Sequence, residues 1–183
     1  MLPETDAQSG AAQPPSARAN HAKRWLVIGA LAATLAASSS LASWRDQHAL
    51  LINTTQSLPN WAFWIDKHRM PQRGDFVVFA PPQTPLITAH FGERSPPFAK
   101  RVYGMPGDVV IRQGSVVRIN GAEVARLKPK SSRGEALEPG PTGRIPDHCY
   151  YVGTAHKDGF DSRYADVGFV CSNRIIGTGD SLL

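Results

Sequence analysis

Cysteine is scarce: the 183 residues hold only Cys149 and Cys171. They do not form a Cys-x-x-Cys pair, so no thiolate metal site is expected. The six histidines (His21, His48, His68, His90, His148 and His156) form no metal-ligating set. None stands in a nucleophile-elbow context, which argues against a Ser-His-Asp hydrolase. The net charge of +5 is modest and its lysines and arginines are scattered. No basic run interleaves with aromatics, so nucleic acid is not an expected partner. Nothing in the chain asks for a cofactor. Charge is missing altogether from Trp25 to Trp44, and stretches of helical period are few beyond that point.

What is present divides the chain in three. Residues 1–24 are rich in Pro, Ala, Gln and Ser without apolar periodicity, the composition of a disordered tail. Residues 25–44 are uncharged over twenty positions, about the length that spans a bilayer core as a helix, with Trp25 and Trp44 at the ends. Arg18, Lys23 and Arg24 precede the span. The positive-inside rule then puts the N-terminus in the cytoplasm and residues 45–183 outside, at an inner membrane. A cleaved signal peptide competes with this reading. Leu26–Leu35 would be its apolar region and Ser40-Leu41-Ala42 its small-x-small cleavage site. Either reading exports the domain, and an exported domain permits a disulfide between Cys149 and Cys171; two reduced core thiols are the other possibility.

Two short stretches bear on chemistry. Ser57-Leu58-Pro59 follows the span by only thirteen chain steps, at most about 45 Å. A retained anchor would hold Ser57 near the outer membrane surface. The second stretch is Phe98-Ala-Lys-Arg-Val-Tyr103. In a strand, Phe98, Lys100 and Val102 share one face and Ala99, Arg101 and Tyr103 the other. Lys100 then sits between apolar side chains, the setting that lowers an amine pKa. A neutral lysine can take the proton of a serine hydroxyl, which is a weak nucleophile until deprotonated. Ser57 and Lys100 are therefore a candidate dyad.

The remaining chain reads as β scaffold. Phe76-Val-Val-Phe79 is a strand. Residues 81–97 hold five prolines and read as a surface loop. Met105-Pro-Gly-Asp108 suits a type II turn, and Asn120-Gly121 is a hairpin signal within a small meander. Residues 126–146 read as a long, mobile connection or a partner-facing loop. Cys149–Gly153 and Gly168–Cys171 read as paired strands with Asp161-Ser162-Arg163 in their connection. The expected fold is mainly β, with antiparallel sheets carried on one N-terminal helix.

Ser57-Leu58-Pro59, Arg73-Gly-Asp-Phe-Val-Val-Phe79, Lys100-Arg-Val-Tyr-Gly-Met-Pro-Gly-Asp108 and Gly159-Phe-Asp-Ser-Arg-Tyr164 stand in order over roughly residues 50–180. In this order and spacing the chain resembles the type I signal peptidases, and more closely their TraF branch of conjugative-transfer peptidases. It departs from their pattern at Pro59-Asn60-Trp61 and at Ala165-Asp166.

The resemblance implies coiled antiparallel β-sheets and a membrane-anchored serine endopeptidase in the periplasm. Ser57 is then the nucleophile, Lys100 the general base, and Asp161 the residue that orients them through a hydrogen bond from Lys100 or Ser162. Ser162 and Arg163 support the site. Leu58, Pro59, Val102 and Tyr103 contact the substrate. Thr54 or Thr55 could assist the oxyanion. The implied partner is a pilin precursor or another exported protein, cleaved or cyclised, with a conjugative secretion machinery nearby. A general signal peptidase and a non-catalytic envelope assembly protein are the alternatives.

Overall fold

The structure is a computed structural model, and it describes residues 17–52 and 58–182. The chain falls into two compact units, Met1–Trp44 and Arg45–Leu183. The described residues of the first unit lie in helix α1 (Ala17–Gln47), which includes part of the stretch expected to be a tail. Alanine and leucine dominate it, and both favour helix. Its stretch Lys23–Gln47 is long and apolar enough to cross a membrane, and Trp25, Leu26, Leu31 and Leu35 are all exposed. A helix apolar all round suits a lipid environment.

The second unit is built on antiparallel strands. They are β1 (His48–Ile52), β2 (Ala62–Asp66), β3 (Phe76–Phe79), β4 (Phe98–Gly104), β5 (Val109–Gln113), β6 (Val116–Ile119), β7 (Ala122–Arg126), β8 (Gly143–Arg144), β9 (Cys149–Gly153), β10 (Val170–Cys171) and β11 (Ile175–Ser181). Seven form one sheet in the order β1-β2-β11-β3-β4-β9-β10, and four form another in the order β7-β6-β5-β8. The expected mainly β, antiparallel architecture with an N-terminal apolar helix is the one observed.

Alternation along the strands builds the core. Val77, Phe79, Val102, Val152 and Val170 pack as one cluster on one face of the larger sheet. Leu58, Phe63, Ile65, Phe76 and Val78 form another on its other face. A third, with Val110, Val117, Ile119, Ile145 and Tyr151, joins the smaller sheet to β9. Gly104 sits where these strands cross: a Cβ there would lie 2.5 Å from Ile145 Cδ1 and 2.9 Å from Tyr151 Cβ. Only glycine allows that approach.

The turns follow their residues. Gly107 has φ 88° and Asp108 N–H donates to Met105 O at 3.1 Å, as a type II turn requires. Asn120 and Gly121 both have positive φ, the hallmark of a type I′ hairpin.

Two expectations need correction. The proline-rich stretch contains a helix, α2 (Pro85–Phe91). Proline at the first helical position has no N–H to lose, and the Thr84 side chain caps the turn by accepting from Ile87 N–H. The 126–146 connection is tied down along its length. Lys130 bridges to Ala136, Pro139 to Tyr164, and β8 pairs with β5.

Candidate active site

β4 places the lysine. Its register against β3 pairs Val77 with Lys100 and Phe79 with Phe98. Phe98 and Val102 accordingly pack with the first cluster, Ala99 with the second, and Arg101 is exposed. Lys100 is buried, 6% exposed, and its Nζ lies 6.0 Å from the Phe98 ring centroid. Burial pushes its pKa below the ordinary lysine value, the nearby Asp161 charge opposing and that of Arg163 assisting.

Asp161 and Arg163 form a buried pair beside it. Arg163 Nε donates to Asp161 Oδ1 at 2.8 Å and its terminal nitrogen to Oδ2 at 2.9 Å. The backbone N–H groups of Arg163 and Thr154 donate to the same carboxylate at 3.2 and 3.0 Å. Burial pushes the Asp161 carboxyl up, while these four donors and the Arg163 charge favour its ionised form. The guanidinium also donates to Thr154 O at 2.7 Å and Arg126 O at 3.2 Å, tying the site to the smaller sheet.

The carboxylate is thus taken up by Arg163 and Thr154. Ser162 does not supply the expected hydrogen bond to Asp161. Its Oγ accepts from Val152 N–H at 3.0 Å, so it extends the edge of β9 instead. Ser162 and Arg163 are both buried, as support residues are expected to be.

The other expected residues separate. Leu58, Pro59 and Tyr103 line a cleft of about 420 Å³ together with Phe76, Arg101 and Thr154. Val102 does not reach this cleft: it is fully buried in the opposite cluster, on the same face as Lys100. Alternation along β4 requires that separation. Ser57, Thr54 and Thr55 lie outside the described residues. Cys149 and Cys171 pair across β9 and β10 and are joined by a disulfide.

Thr154 was not legible as a site residue. The β4–β9 register sets Arg101 opposite Gly153. Thr154 is the next residue after the last paired position of β9. It is buried, and its amide holds Asp161. Only the pairing of strands fifty residues apart reveals this, and no local motif marks it. No cluster of His, Cys, Asp and Glu suited to a metal occurs among the described residues.

The family model of signal peptidase, peptidase S26, matches residues 22–183. The chain belongs to the signal peptidase family. A probable signal peptidase I-2 from Synechocystis sp. is 35% identical over 111 residues, which is 60% of this chain. The chain spans 46% of that relative's length in the match. The crystal structure of a signal peptidase I from Enterococcus faecalis V583 aligns over 60% of this chain and 96% of that one, at 24% identity and a TM-score of 0.36.

Proposed function

We propose that this protein is a membrane-anchored serine endopeptidase that removes leaders from exported proteins through a Ser57/Lys100 dyad. The observation that carries this is the burial of Lys100 between Phe98 and Val102, which favours a neutral amine. In the proposed reaction Lys100 accepts the Ser57 hydroxyl proton as Oγ attacks the carbonyl at the leader junction. The oxyanion takes N–H donors near Ser57, and the amine leaves with the proton returned from Lys100. Water then releases the leader from the ester. Asp161, held by Arg163, acts indirectly, through its charge on Lys100 and its bond to Thr154 N–H.

Arg18, Lys23 and Arg24 before the apolar stretch support a cytoplasmic N-terminus and a periplasmic catalytic unit at an inner membrane. Signal-peptide removal of residues 25–44 would leave the same unit outside.

The finer reading is a dedicated enzyme of conjugative transfer acting on a pilin precursor, with cyclisation where the ester is formed at the pilin's own C-terminal junction, the C-terminal remnant leaves as the amine, and the pilin's N-terminal amine takes the place of water. It is supported by the Asp161-Ser-Arg-Tyr164 form and the compact domain that carries it. A housekeeping peptidase of broad substrates is favoured by the likeness to a probable signal peptidase I-2. Intact mass of a candidate pilin precursor and of a general exported precursor, each co-expressed with this protein, separates them. Shortening of the pilin alone supports the dedicated role, and a product one water lighter than the linear peptide supports cyclisation. Shortening of both supports the housekeeping role. Processing that survives Ser57→Ala would overturn the dyad.

A further inference from the structure

The cleft beside Leu58 does not end at Thr154. Its wall of Thr154, Ala155 and His156 is also a wall of a second, larger cleft of about 570 Å³. The far side of that second cleft is β7 with the residues that follow it, Glu123 to Lys128. Arg163 lies between the two sides, donating to Arg126 O on one and to Thr154 O on the other.

The two clefts differ in chemistry. Leu58, Pro59, Phe76 and Tyr103 give the first an apolar wall at the residues following Ser57, with Arg101 as its one charged side chain. Arg126, Lys128 and Lys157 give the second three exposed cationic side chains, against Glu123 as the one acid in its lining. Arg126 pairs with Glu123 at 2.8 Å and Lys128 pairs with Asp158, so the excess charge centres on Lys157. β7 is also the terminal strand of the smaller sheet, and its outer edge has no strand partner among the described residues. An open strand edge accepts an extended peptide by main-chain pairing.

We infer that the segment of the exported protein just beyond the scissile bond lies extended in this second cleft, along β7, and is selected for acidic side chains. The apolar cleft takes the leader side, and the shared Thr154–His156 wall marks the crossing. This rests on the peptidase reading above and adds a specificity to it. The sites recognised are those whose mature end opens with Asp or Glu.

The test uses the full chain in detergent micelles with three peptides. All carry one leader junction and differ at the second to fourth residues beyond it: aspartates, serines or lysines. The expected order of kcat/KM is aspartate, serine, lysine, spanning about tenfold at low salt and narrowing at high salt, as exposed charges require. Reversing two charges in Arg126→Glu/Lys157→Glu should invert the order. Lys157→Glu alone, at an exposed loop position, should move the aspartate-to-lysine ratio the same way by roughly threefold. Equal kcat/KM for all three peptides, or an order unchanged by the reversals, overturns the inference and leaves the peptidase reading intact. Failure to cleave any of the three, nor any of a wider panel of leader junctions, overturns both.

Discussion

Arg163 grips Asp161 in a two-pronged ion pair at 2.8 and 2.9 Å, with the side chains 3% and 0% exposed. Removing one member leaves the other charge buried without its counterion, at a cost of about 3–5 kcal/mol. Asp161→Ala and Arg163→Ala should each lower stability on that scale, and the double variant by clearly less than their sum. Urea unfolding of the three variants as a double-mutant cycle checks this. Additive losses would show that the pair is not coupled.

The second expectation concerns pH. Burial lowers the Lys100 pKa in the folded chain. Between that lowered value and the unfolded lysine value of about 10.5, the unfolded state binds the extra proton, so stability rises with pH. Below the folded value both states are protonated and the contribution of Lys100 is flat at its least favourable. Lys100→Met should remove this slope and be the more stable protein at low pH. In the same way kcat/KM should fall as pH drops through the pKa of Lys100 in the free enzyme. Melting curves and a pH–rate profile of wild type, the former beside Lys100→Met, measure both; a stability slope that persists in the variant assigns it to another group.

Cys149 and Cys171 close a loop that contains Asp161, Ser162 and Arg163. With a sequence separation of 22, the chain-entropy estimate gives the disulfide about 3 kcal/mol. Cys149→Ala/Cys171→Ala, or reduction, should lower stability by that order. A denaturation curve with and without reductant checks it, and identical curves would contradict it.

Gly140 tests the strap over the site. Its N–H donates to Arg163 O at 2.7 Å, and an added Cβ would meet the backbone oxygen of Ser162. Backbone cannot yield as a flexible side chain does, so Gly140→Ala should displace the Asp161–Arg163 segment and destabilise by about 1–3 kcal/mol. Gly114→Ala is the comparison, because no atom approaches its Cβ position, though its φ of 58° adds local strain. A Gly140→Ala protein as stable as wild type would mean that the approach to Ser162 carries no weight.

Much of this architecture was legible before any fold was in hand, because local physics sets it. Period-two alternation put Lys100 between Phe98 and Val102. Asn120-Gly121 announced its hairpin, and the positions of Cys149 and Cys171 announced their strands. The unread parts depend on partners distant in sequence. Thr154 looks like any threonine after a strand until β9 is laid against β4. Val102 is a substrate contact by the resemblance alone, yet the face it shares with Lys100 turns it into the core. Helix α2 is masked by the prolines around it, and Pro85 stands at the first helical position, where a missing N–H breaks nothing. Ser162 looks like a polar neighbour for Asp161, but the open edge of β9 has the stronger claim on its hydroxyl.

The dyad itself is tested most directly by trapping the ester. Wild-type protein is mixed with a cleavable leader peptide, quenched in acid within the first turnover, digested, and mapped by mass spectrometry. The expected result is the leader mass attached to the peptide that carries Ser57, and no adduct in Ser57→Ala or Lys100→Ala. Leader attached to another residue, or cleavage by Ser57→Ala at the wild-type rate, would contradict the account.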